Sequence, residues 1–112
     1  MPFRVLYIDV DGTMVDVNDP DVLREGVLEK LELWHKKYTL ICWSKTGGQY
    51  AKKVCEYHKI AHLFSLFLDK PDGAVDDDFE WWGRVAKLDV KDDDAWSKSD
   101  SELFRHSRED KR

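Results

Sequence analysis

The residues of this chain best suited to chemistry are two aspartates, Asp9 and Asp11, in the stretch Arg4-Val5-Leu6-Tyr7-Ile8-Asp9-Val10-Asp11-Gly12-Thr13. A mostly apolar run of strand length empties there into a glycine turn. The pair therefore falls at the carboxyl end of a strand, where open parallel sheets bind their ligands. Three further groups follow short apolar runs in the same way: Ser44, then Lys70, then Asp76 with Asp77. A parallel sheet gathers such ends along one edge. Acids gathered like this repel strongly unless a cation binds among them, so the pattern predicts a site that holds positive charge. A calcium loop starting at Asp9 fails, because the glycine and glutamate it needs at its sixth and twelfth positions are replaced by Met14 and Pro20.

Strands and helices must position these groups, and both are legible. Strand signals lie at 4–9, 38–43 and 63–68, with a very short fourth at 74–75. Val27, Leu28, Leu31 and Trp34 recur at helical spacing within 24–37, while Glu29, Lys30, Glu32, Lys36 and Lys37 fall mainly on the other face. The small-residue loop Ser44-Lys45-Thr46-Gly47-Gly48 opens a second helix over 49–58, with Ala51, Val54 and Cys55 facing inward. A last helix is expected over 79–88, carrying Trp81, Trp82 and Val85. Residues 16–21 read as a polar connection built on Asn18, Asp19 and Pro20, too short to fold as a lid. The alternation predicts an α/β fold with a parallel sheet and right-handed crossovers. From residue 89 the chain becomes charged and serine-rich, with Trp96, Leu103 and Phe104 as its apolar anchors. The expectation is one domain over 1–88 and a loosely held tail over 89–112, with a weak helix near 101–108.

Composition narrows the partners. With 18 basic and 23 acidic residues, a net charge of −5 and no basic stripe, nucleic acid is not the default partner. Cys42 and Cys55 lack metal-ligand spacing and fall in apolar patterns, which predicts buried free thiols in a reducing, cytoplasmic setting. The same spacing test removes His35, His58, His62 and His106 as metal ligands. No apolar run approaches the ~20 residues that cross a bilayer, so no membrane partner is expected.

Asp9-Val10-Asp11-Gly12-Thr13, the strand closing at Ser44, Lys70-Pro71 and Val75-Asp76-Asp77 stand in the order of the four motifs of a haloacid dehalogenase-like (HAD) phosphohydrolase, and over residues 3–78 the chain resembles a small member of that family. The resemblance implies a Rossmann-like three-layer sandwich with a parallel sheet of about four strands and no cap domain. It also implies a Mg²⁺-dependent phosphomonoester hydrolase, with Asp9 as nucleophile, Asp11 as general acid and base, and Lys70 offsetting phosphoryl charge. On the same basis Ser44, Lys45, Thr46 and Gly47 hold the phosphate. Mg²⁺ falls to Asp9, Asp11 and either Asp76 or Asp77, since this ion takes few carboxylates and keeps its waters. The partner implied is a phosphorylated substrate: a nucleotide, a polynucleotide end, a sugar phosphate or a phosphoprotein. An oligomer is one way to wall an uncapped site. Two other readings fit the same residues, phosphotransfer to an acceptor other than water and a non-catalytic protein that binds Mg²⁺ or a partner.

Overall fold

The run ending in Asp9 forms strand β1 (Arg4–Asp9) of a computed structural model that describes residues 4–99. After the loop come β2 (Val15–Asp16) and β3 (Asp19–Leu23), which pair antiparallel as a small ribbon. The stretch expected as a plain connection is thus a hairpin. Asp16 and Asp19 each accept the N–H two residues on, from Asn18 and Asp21, which closes the turn, while Val15 is fully buried and pins the ribbon to the core.

Helix α1 (Val27–His35) follows, then β4 (Tyr38–Ser44), α2 (Gly48–Tyr57), a 3-10 turn at Ala61–Leu63 and β5 (Leu66–Asp69). Strands β1, β4 and β5 make a parallel sheet with β4 in the centre, in a register that sets Tyr7 beside Ile41 and Leu66, and Asp9 beside Trp43 and Leu68. Because side chains alternate across a strand, Leu6, Ile8, Leu40 and Cys42 share the opposite face. They join Val27, Leu31 and Trp34 of α1 and Ala51, Val54 and Cys55 of α2 in one core. The thiols of Cys42 and Cys55 meet there, unbridged, at 3.9 Å. The molecule is a small compact α/β fold. Among the described residues no helix is long and apolar enough to cross a membrane.

Four further features differ from expectation. The sheet has three parallel strands, because residues 74–75 do not pair and Val75 is fully exposed. Glycine and aspartate are poor strand residues, and Asp76 and Asp78 instead accept the N–H groups of Asp78 and Glu80 in local turns. The last helix expected over 79–88 shrinks to α3 (Glu80–Arg84), where both Trp81 and Trp82 are exposed. On α1, Leu28 is exposed while Lys30 is buried, its ammonium donating to the Ser99 carbonyl.

The fourth difference concerns the tail. Residues 89–99 dock on the core through two side chains: Val90 is buried, and α4 (Ala95–Lys98) inserts Trp96, only 1% exposed, against Trp34 with ring centroids 5.6 Å apart. Gly26 makes this docking fit, since a Cβ there would lie 2.6 Å from Ser97 Oγ, and its φ of +87° disfavours other residues. The remainder of the expected tail, with Leu103, Phe104 and the helix at 101–108, lies outside the described residues. Trp96→Ala is expected to cost about 3–5 kcal/mol in urea-induced unfolding, the range for removing a fully buried large aromatic; a loss under ~1 kcal/mol would mean that residues 89–99 do not pack as described.

Candidate active site at the end of the first strand

The loop that follows β1 closes on itself. Gly12, at φ +77°, permits the reversal, and the Val10 carbonyl accepts the N–H groups of Thr13 at 3.1 Å and Met14 at 2.9 Å. Val10 and Met14 are fully buried, so the loop is anchored from both sides of its glycine. Its carbonyls turn inward and receive three hydrogen bonds, from two donors that sequence reasoning missed. Arg24 Nη1 donates to Gly12 O at 2.8 Å and Thr13 O at 3.1 Å, and Trp96 Nε1 donates to Thr13 O at 2.7 Å. Arg24 Nη2 also holds the Asp92 carbonyl at 2.7 Å, joining the loop to the C-terminal segment. Nothing in the local pattern announced these contacts, beyond an arginine just before a helix and an isolated tryptophan in a polar stretch.

Asp9 emerges from this frame with each oxygen engaged. Oδ2 accepts from the Thr13 hydroxyl at 3.0 Å, and Oδ1 lies 3.4 Å from Lys70 Nζ. Both side chains are a little over a quarter exposed, so the pair is shielded yet open to a ligand. Lys70 is delivered by the sheet: its N–H donates to the Ser44 carbonyl at 2.9 Å, and its ammonium lies 5.8 Å from the centroid of the Trp43 ring. Asp11 meets a partner that sequence reasoning did not name. Tyr50, in the first turn of α2, donates its hydroxyl to Asp11 Oδ1 at 2.6 Å. That bond, aided by burial and by the carboxylate's charge, pushes the Tyr50 phenol up to about 12.

The expected phosphate cradle is occupied by the chain itself. Ser44 is buried and its Oγ accepts the Thr46 N–H at 3.0 Å, the Gly47 N–H goes to the Ser44 carbonyl at 3.1 Å, and the Gly48 N–H goes to Asp69 Oδ1 at 2.6 Å. A carboxylate from the end of β5 thus sits where an anion was expected to bind, satisfying one of the orphan donors at the start of α2. Its signal in the sequence was its position beside Lys70, at the strand end. Gly48 also lets the helix approach β5, since a Cβ there would lie 2.6 Å from the Phe67 carbonyl. Lys45 and Thr46 are exposed at the rim.

Asp76 and Asp77 stand apart. Asp76 is held by local donors, the Asp78 N–H first and then the Trp81 indole N–H at 3.0 Å, which lower its carboxyl below the usual range. Among the described residues no three His, Cys, Asp or Glu side chains gather as a metal cage. The donor chemistry of Asp9 and Asp11 still suits Mg²⁺, a hard cation that accepts one or two carboxylates and completes its octahedron with water. Comparison with family models, with curated proteins and with solved structures finds no match to the chain.

The Tyr50 contact is directly testable. A phenol raised above its ordinary ~10 stabilises the fold below about pH 10, and the contribution is lost as pH rises through about 12. In a spectrophotometric titration, one of the four tyrosines should ionise near pH 12, and Asp11→Asn should return it toward the ordinary range. An unchanged titration in that variant would show that Asp11 does not hold the hydroxyl.

Proposed function

We propose that the protein is a Mg²⁺-dependent phosphomonoester hydrolase of the HAD type that works through an aspartyl-phosphate on Asp9. The observation that carries this reading is the Asp9 and Lys70 pair at 3.4 Å, set at the ends of two strands that flank β4 and followed two residues later by Asp11. Carboxylate nucleophiles are repelled by phosphoryl oxygens, so a cation placed against the nucleophile is what the chemistry requires first. Mg²⁺ held by the Asp9 carboxylate and the Asp11 backbone carbonyl would neutralise further charge on the phosphoryl group.

Thr13 fixes Asp9 Oδ2, which leaves Oδ1, on the Lys70 side, as the attacking atom. The bond from Oδ1 to phosphorus forms as the ester bond breaks, and Asp11 gives a proton to the departing oxygen. Water then attacks the same phosphorus and loses its proton to Asp11. Asp9 and inorganic phosphate are released. Tyr50 occupies Asp11 Oδ1, so Oδ2 is the oxygen assigned to proton transfer. Lys45, at the exposed rim, steers the anionic substrate.

One observation favours a second reading, that of a non-catalytic binding protein. The amides of Thr46, Gly47 and Gly48 all have partners within the chain, and Asp69 already supplies the anion. Phosphate release from an aryl phosphate, followed with and without Mg²⁺, separates the two. The phosphatase reading expects turnover that requires Mg²⁺, is abolished in Asp9→Asn, and falls about 10²–10⁴-fold in Asp11→Asn. Turnover that survives in Asp9→Asn would remove Asp9 as nucleophile. No turnover on any phosphomonoester, with Mg²⁺ binding measured separately, would favour the binding protein.

A further inference from the structure

An apolar groove of about 1060 Å³ runs along the β1 edge of the sheet, with Asp9 and Thr13 in its lining. Aromatic rings in the same lining are left partly open to solvent: Tyr7 is 44%, Trp81 40% and Trp82 51% exposed. Scattered apolar residues on a surface need no explanation, but a continuous apolar groove of this size marks a place where something binds.

The rings are held in position. The two indoles meet edge-on with centroids 5.4 Å apart, and Trp81 Nε1 donates to Asp76 Oδ2. Lys87 Nζ donates to the carbonyls of Trp82 and Val85 and lies 5.6 Å from the Trp82 ring centroid, which fixes the short helix from its far side. In the same lining Tyr7 packs edge-on against Trp43 at 4.6 Å, and the Lys70 ammonium lies 5.8 Å from the Trp43 centroid and 3.4 Å from Asp9. The groove therefore carries both a carboxylate ion-paired to Lys70 and a pair of fixed indole rings.

An occupant must satisfy both features. A bare phosphoryl group or a glycerol phosphate fills only the first, and leaves the indoles wet. A flat heteroaromatic ring attached to a phosphate fills both, since bases stack on tryptophan whatever their hydrogen-bonding edge. Resting on the reading of Asp9 as the phosphoryl-accepting group, we infer that the groove is the base-binding subsite for a nucleoside monophosphate, with the phosphate at Asp9 and Lys70 and the base against Trp81 and Trp82.

Two measurements on the full chain test this separately from the chemistry. In the first, adenosine, which has no phosphate, is titrated while the tryptophan indole N–H resonances are followed, with Trp81→Phe and Trp82→Phe identifying the two signals. Shifts confined to Trp81 and Trp82 support the subsite, and their absence overturns it. In the second, kcat/KM for adenosine monophosphate is compared with that for glycerol 3-phosphate. The nucleotide is expected to be preferred at least about tenfold, with the ratio falling toward one in Trp81→Ala and Trp82→Ala and largely kept in the Phe variants. A ratio near one in the parent protein, or one unmoved by the Ala substitutions, overturns the inference. So does a concentration-dependent dimer in which the indole signals respond to protein concentration and not to adenosine, for then a second copy covers the groove. Adenosine binding without hydrolysis of any phosphate would instead remove the phosphatase reading and leave the aromatic subsite standing.

Discussion

Two inward-facing carbonyls govern much of this fold. A backbone oxygen withdrawn from water must find a donor, and the reversal at Gly12 turns the carbonyls of Gly12 and Thr13 toward the interior. Their donors come from far along the chain: Arg24 just ahead of α1, and Trp96 in α4, which is 83 residues from Thr13. Meeting that need draws the C-terminal segment into the core beside Trp34 and aligns the loop from which Asp9 and Thr13 project. The geometry of the candidate site and core packing are thus two aspects of one hydrogen-bond cluster.

Around that cluster, charge is balanced by short links between strand ends. Lys70 answers Asp9, Tyr50 answers Asp11, and the α2 terminus answers Asp69. Each of the three acids has a partner from a different element, and Asp9 adds the Thr13 hydroxyl from its own loop. By contrast Asp76 and Asp78 are satisfied by local turns and the Trp81 indole, which keeps them in water. The difference follows from backbone supply: a strand end presents side chains to other strand ends, whereas a turn folds its carboxylates back on its own amides.

Strands β1 and β4, helices α1 and α2, the buried thiols and the placement of Lys70 near Asp9 were legible in the sequence, because periodicity and strand-end position report burial and topology directly. The hairpin after β1 was not, since a two-residue strand carries no period and its partner contains a proline. The absent fourth strand was over-read from an apolar pair, Ala74-Val75, too short to outweigh the aspartates after it. Trp96 was legible as an apolar anchor, but the depth of its docking was not. A single tryptophan among charged residues looks like a weak anchor, and only the close approach allowed by Gly26 reveals that its site was prepared in the first quarter of the chain. Tyr50 and Asp69 escaped for a related reason: their roles depend on the register of α2 against the strand ends, which no local pattern encodes.

The long span between Thr13 and Trp96 also orders events in time. Chains emerge from synthesis N-terminus first, so the loop bearing Asp9 is made before its last hydrogen-bond donor. Contacts so distant in sequence close after nearer ones, because the intervening chain must first lose its freedom. Until Trp96 arrives, the Thr13 carbonyl lacks its indole donor and Trp34 lacks its ring partner. A growing or truncated chain would carry every residue of the candidate site and still present it unfinished.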